Sequence, residues 1–329
     1  MRRPRGLLLG LIALLAIAGC ARLTAVDPES AFREPPGRLR VEGVPFYPQE
    51  ALQCGPAALA ETLGWSGHRV TPAELKSDLF IPAREGTLQA EILAQARARG
   101  RVAYRLQGGL EALVAELEAG HPVLVLQNLG LDWVPVWHYA VVVGYDPGTP
   151  AFILRSGAEK THESGLDRFR RTWERTDHWA VVTMPPDQLP ATAQAGPWLN
   201  AALDLEETGE REAALSAYRT GRTRWPESGA FHVALVNLHY QQDDLAAAEE
   251  AARQGLAQAA GRRNVLRNNL ANLLLEAGQC REAERLARRA VAQSDDSPFA
   301  GDFRATLERI RAARAEATCT APGNVSDAD

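Results

Sequence analysis

Beyond Ala195 the chain repeats itself with a period near 34 residues, and this constrains its fold more than any other feature. Gly209, Asp243 and Gly278 fall at the same phase of an alanine-rich helical pattern, and Ala214, Ala248 and Ala283 follow each by five residues. Turn formers at that spacing mark the bend of a helical hairpin. Small residues at that spacing mark where paired helices cross closely. The period predicts about three hairpins, near 195–228, 229–263 and 264–297, with a terminal helix at 301–316 as a cap. Asp243-Asp244 replaces the glycine turn in the second hairpin. Stacked hairpins form an extended concave surface that binds peptides or helices. An unrelated helical bundle is the alternative.

The residues before the repeats follow another pattern. Strands are predicted at Val102–Leu106, Val123–Gln127, 137–145, 151–155 and His178–Met184. Helices are predicted at 51–64, from Pro72 to about Leu79, after Thr87 to about Arg99, over Leu110–Ala119 and over Gly165–Trp173. Thr71-Pro72-Ala73-Glu74 is a capping box with proline at the first helical position, and Thr87 is expected to cap its helix. Helices followed by a mostly antiparallel sheet make an α+β domain. Pro185, Pro186, Pro190 and Pro197 punctuate a linker, placed at 185–194. A chain of 329 residues is expected to hold two domains.

The N-terminus reads as a signal for export. Arg2, Arg3 and Arg5 precede an apolar run from Leu7 to Ala18, too short to span a bilayer permanently. Ile17-Ala18-Gly19-Cys20 resembles a bacterial lipobox, which implies acylation of Cys20 and a lipid anchor. An ordinary signal peptide with an incidental cysteine is the alternative. Ala21 in place of an aspartate favours the outer membrane, facing the periplasm. Residues 20–40 are read as a tether and 318–329 as a flexible tail. The chain is 46% hydrophobic and 23% charged, enough for packed cores. Its net charge of −5 gives no reason to expect nucleic acid. Cys280 and Cys319 either pair in an oxidising compartment or remain two free buried thiols.

Two segments carry the chemistry. Gln49-Glu50-Ala51-Leu52-Gln53-Cys54-Gly55-Pro56 sets a cysteine at the entrance of an apolar helix. Trp137-His138-Tyr139-Ala140-Val141-Val142-Val143 sets a histidine at the start of a β-branched strand. A helix N-terminus favours a thiolate. An imidazole takes the thiol proton and returns it to a leaving amine. The Cys54 backbone N–H and the Gln49 side-chain amide are candidate donors to the oxyanion. The other reading is a buried structural cysteine. No cofactor is expected. No metal is expected either, because His121, His162 and His178 lack ligand spacing; His121 reads as a turn residue. Trp133, Trp137, Trp173 and Trp179 either line a cleft or belong to the core. Residues 129–132 form a candidate substrate-contact loop.

The pair V-P-F-Y-P-Q-E-x-x-Q-C-G-P-A-A-L and W-H-Y-A-V-V-V-G-Y-D resembles the bacterial double-glycine, or bacteriocin-processing, cysteine peptidases, over about Val41 to Met184. The resemblance implies a papain-like domain at 41–184, with Cys54 as nucleophile, His138 as base and Gln49 as oxyanion donor. Trp198, Tyr218 and Pro226 fit signature places of the tetratricopeptide repeat. An all-α tetratricopeptide-repeat domain over 195–317 is therefore expected, as in a stand-alone lipoprotein branch of that family.

The family places an Asp or Asn on the strand after the histidine to orient the imidazole, and this chain departs from it. Asp146 stands eight residues beyond His138, roughly 26 Å along an extended strand. Folding the hairpin about position 147 places Ser156 opposite His138. A one-residue bulge would present Arg155 or Gly157 instead. Serine accepts a hydrogen bond but carries no charge. The expected activity is hydrolysis of a peptide bond by a lipid-anchored periplasmic cysteine peptidase, with the repeats docking a protein or peptide partner. A non-catalytic peptidase-fold scaffold binding an envelope or export partner is the alternative, and amide transfer is a third.

Overall fold

In the computed structural model, β-branched runs form one antiparallel sheet. The structure describes residues 31–49, 53–79, 87–294, 297–316 and 319. The strands are β1 (Leu39–Arg40), β2 (Val102–Arg105), β3 (Val123–Asn128), β4 (Trp137–Asp146), β5 (Ala151–Ser156), β6 (Glu159–Gly165) and β7 (Ala180–Met184), in the order β2-β7-β3-β4-β5-β6, with β1 on β4. β3, β7 and residues 139–145 of β4 are buried, as their Val/Leu/Ala-rich runs require. Helix α1 (Cys54–Trp65) packs against β4, next to α2 (Pro72–Leu79) and α3 (Gln89–Arg97). Helices α4 (Gly109–Glu118) and α5 (Leu166–Glu174) complete this part.

Several expectations hold in detail. The Thr71 backbone N–H donates to Glu74 Oε2 at 2.7 Å, closing the capping box. Thr87 caps nothing: Leu88 is the N-cap of α3 and makes no side-chain bond. β6 is an addition to the predicted strands, because Glu-Lys-Thr-His-Glu-Ser-Gly is a polar edge strand with no apolar alternation. Residues 31–40 are not mere tether. Phe32 is buried with its ring edge-on to Tyr145, and Leu39 pairs with Tyr145 in the sheet. The expected signal peptide, the lipidation candidate Cys20 and residues 320–329 lie outside the described residues.

The helical half consists of α6 (Ala195–Glu207), α7 (Arg211–Arg224), α8 (Gly229–Gln241), α9 (Leu245–Gln258), α10 (Arg263–Glu276), α11 (Cys280–Val291) and α12 (Ala300–Ala315). The three turn residues share one conformation: Gly209, Asp243 and Gly278 all have positive φ, at 87°, 60° and 74°. Asp243 adopts it despite its side chain. Ala214, Ala248 and Ala283 are fully buried. Close crossing is enforced elsewhere as well, since a Cβ on Gly221 would lie 2.3 Å from the Phe231 ring. Cys280 and Cys319 form a disulfide with their Cα atoms 5.9 Å apart.

The linker is pinned rather than loose. Glu116, fully buried on α4, accepts from the Ala191 and Thr192 backbone N–H groups and the Thr192 hydroxyl at 3.0, 2.8 and 2.6 Å. His121 lies 2.7 Å from the same carboxylate, so it is a partner of Glu116 rather than a plain turn residue. The Tyr104 hydroxyl donates to the Thr192 carbonyl and accepts from the Gln194 N–H. The Tyr104 and Trp198 rings meet, and one apolar core continues from sheet to helices.

Candidate active site

Cys54 is the first residue of α1, followed by Gly55 and Pro56. Proline fits there because the third helical position has no intrahelical acceptor for an N–H. Gly55 is required by packing: a Cβ would lie 2.6 Å from the Thr87 hydroxyl. The backbone N–H groups of Tyr139, Gly55 and Cys54 itself act on the sulfur in the sense that favours its anion. Tyr139, one residue past His138, lies where α1 packs on β4. Burial pushes the Cys54 thiol up, and the three N–H donors only partly offset it.

His138 Nε2 lies 2.8 Å from Ser156 Oγ. The route to that contact differs from the expected one. The turn lies further along, so Asp146, Tyr145 and Gly144 pair with Ala151, Phe152 and Ile153. The register then shifts between Val142 and Gly144, after which Val142 pairs with Leu154 and Val141 with Arg155. One more step puts Ser156 across from Ala140, diagonal to His138 and on its face. Without the shift, Ser156 would stand across from Val141 on the other face. Ser156 is thus diagonal to His138 rather than opposite it, and the bulge presents Ser156 rather than Arg155 or Gly157. Gly144 belongs to this device, because a Cβ there would lie 2.4 Å from the Leu39 carbonyl oxygen of β1. Asp146 sits at the far end of β4 in an ion pair with Arg38 at 2.7 Å.

Burial pulls the His138 imidazole below its ordinary value, and the charge of His162 lowers it further. A raised thiol and a lowered imidazole favour neutral Cys–SH and neutral imidazole at rest. His138, Ser156, His162, Glu159 and Arg168 line one cavity of about 210 Å³. His162 Nδ1 faces Glu159 at 3.3 Å. Leu129 borders the same cavity.

The Gln49 backbone N–H donates to the Gly157 carbonyl at 2.9 Å, fixing Gln49 beside the Ser156 turn. Its side-chain Nε2 is buried and has no partner among the described residues. Thr87 Oγ1 is likewise buried and unpartnered among them. Unsatisfied buried donors are rare and costly. Thr87 is not legible as a site neighbour in the sequence because its contact with Gly55 is tertiary.

The four tryptophans divide evenly. Trp173 and Trp179 are core, whereas Trp133 is 77% and Trp137 55% exposed. Leu129, Leu131, Val134 and Val136 are exposed with them. This hairpin is ordered: Leu131 bridges Val134, and Asn128 Oδ1 accepts from the Gly130 and Val136 N–H groups. Arg175 donates to the Gly130 carbonyl and faces Asp132.

Residues 41–181 match the model of the Peptidase_C39 like family. No curated protein matches the chain. Among solved structures, it is similar to a crystal structure from Bacillus anthracis described as a "putative C39-like peptidase", at 18% identity and a TM-score of 0.39, over 45% of this chain and 98% of that one. At that TM-score the likeness carries nothing about the site.

Proposed function

We propose that the domain matching the Peptidase_C39 like family is a cysteine peptidase that uses Cys54 as nucleophile and His138 as base. The observation that carries this reading is the junction of α1 and β4. Cys54 opens the helix that packs on β4 and is acted on by the Tyr139 N–H, while the preceding residue, His138, commits Nε2 to Ser156. With Nε2–H given to Ser156 Oγ, Nδ1 keeps the lone pair that accepts the thiol proton.

In this mechanism the Cys54 sulfur bonds to the carbonyl carbon as its proton moves to His138. The carbonyl oxygen becomes an oxyanion beside the Gln49 side-chain N–H. His138 then protonates the departing amine, leaving a thioester that water hydrolyses. Ser156 orients the ring without adding charge. The exposed Trp133 hairpin supplies apolar contacts for the peptide.

The C-terminal helices are read as tetratricopeptide repeats that dock a protein or peptide partner. The recurrent left-handed turns and buried alanines support this. Acylation of Cys20 would place the enzyme on the outer membrane, facing the periplasm. Among the described residues no helix is long and apolar enough to cross a membrane.

Intact-mass analysis of peptide-library products tests the activity. Wild type should yield fragments that together gain one water, and Cys54→Ala none. Equal turnover by Cys54→Ala would refute the assignment. Gain of an amine would indicate transfer. A scaffold role is favoured by one observation, the uncharged Ser156, and predicts no turnover by either protein.

A further inference from the structure

The strap from Val41 to Gln49 carries the oxyanion donor, yet it has little backbone support of its own. Pro45 and Pro48 have no N–H to give. At one end the Val41 N–H donates to the Val143 carbonyl at 2.7 Å, and at the other Gln49 donates to Gly157. Between them, the Tyr47 N–H donates to the carboxyl Oε1 of Glu61 at 3.0 Å. Glu61 is on α1, seven residues and about two helical turns past Cys54, and is fully buried.

Arg155 reaches the strap from the other side. It immediately precedes Ser156, is 5% exposed, and donates to the Val44 carbonyl at 3.4 Å and to the Lys160 carbonyl. Glu61 and Arg155 lie near enough for each charge to act on the other. Glu61 Oε2 and Arg155 Nε are both buried without a partner among the described residues. Anchoring Tyr47 needs only an acceptor, which glutamine would supply without burying a charge.

We propose that Glu61 is a positioning residue, whose carboxyl holds the Gln49 strap to the nucleophile helix through Tyr47, while Arg155 separately ties the strap at Val44 to the strand that carries Ser156. The proposal rests on Cys54 acting as nucleophile, and two probes separate the two claims. Iodoacetamide alkylates Cys54 without forming an oxyanion. The peptide aldehyde acetyl-phenylalanyl-glycinal adds the thiol across its C=O: the S–C bond forms and the thiol proton ends on oxygen, which uses the oxyanion donors.

Glu61→Met should weaken aldehyde affinity about tenfold or more, the scale of a displaced donor. Its alkylation rate should stay within about threefold of wild type. Glu61→Gln, which keeps an acceptor for Tyr47, should stay within about threefold on both. In a Gln49→Ala background, Glu61→Met should add little further loss, because the effect passes through Gln49. If Glu61→Met does not fold, Glu61→Asp, too short to reach Tyr47, reads the same quantity. Unchanged aldehyde affinity, equal losses on both probes, or full additivity with Gln49→Ala would overturn the proposal. A wild type that alkylates but binds no aldehyde overturns the oxyanion site and this assignment together. A wild type that does not alkylate refutes the nucleophile itself.

Discussion

Glu116 and Glu61 are both fully buried carboxyls that accept from a proline-flanked segment, yet they end in opposite states. Burial raises Glu116, but His121, the Thr192 hydroxyl and N–H, and the Ala191 N–H together hold it below the ordinary carboxylate range. Burial also raises Glu61; with only the Tyr47 N–H and the charge of Arg155 against it, it is pushed up to about 8. The difference teaches that donor count, not burial, sets the charge of an interior carboxyl. Where one group bolts the two halves together, donors are plentiful. Beside the site, donors and acceptors are left unmatched: Glu61 Oε2 has no donor among the described residues. Gln49 Nε2 and Thr87 Oγ1, unpartnered among the described residues, belong to the same poorly satisfied region.

The sharpest contrast should come from deletion. Glu116→Ala strands four donors at the joint and should cost about 3–5 kcal/mol in urea unfolding, whereas Glu61→Ala strands one and should cost about 1–3 kcal/mol. Equal costs would break the comparison.

The next contrast is one of sign with pH. Glu116 is held low, so it contributes stability above the unfolded carboxylate value that is lost as pH falls through its folded value. Glu61 is held high, so its burial costs stability increasingly as pH rises from about 4.5 to about 8. The melting temperature of Glu61→Gln relative to wild type should therefore rise across that window and level off above it. That of Glu116→Gln relative to wild type should rise as pH falls below about 4.5.

The halves also differ in how much of them is legible from sequence. Gly209, Asp243 and Gly278 align by eye and share a left-handed turn, because hairpin geometry is local. Cys54, His138 and Gln49 are legible because helix entry, strand start and a nearby amide are sequence patterns. Ser156 can be named from sequence, but the path to it differs: the turn sits further along, and a bulge beside Gly144 restores the face. Beside it, Gly144 is closely approached by β1, a two-residue strand hidden in what reads as a tether. Glu61, Glu116 and Thr87 are illegible as site or joint residues, since their partners lie 14, 75 and 32 positions away along the chain.

A smaller effect extends the charge comparison to His138. Ser156→Asp places a carboxylate where the hydroxyl now meets Nε2, favouring the imidazolium and hence the thiolate. Alkylation of Cys54 at pH 6–7 should rise by about tenfold, which corresponds to about 1.4 kcal/mol of added preference for the charged ring. An unchanged rate would mean that a charge at position 156 does not reach the ring.

The most direct test of the central claim, that Cys54 and His138 act as one unit, is the pH profile of iodoacetamide alkylation read by peptide mapping. Wild type should label at Cys54, and His138→Ala should slow that labelling by about tenfold or more near neutral pH, with the gap closing as pH rises toward free thiol ionisation. Identical profiles for the two proteins, or no labelling of Cys54 in wild type, would contradict it.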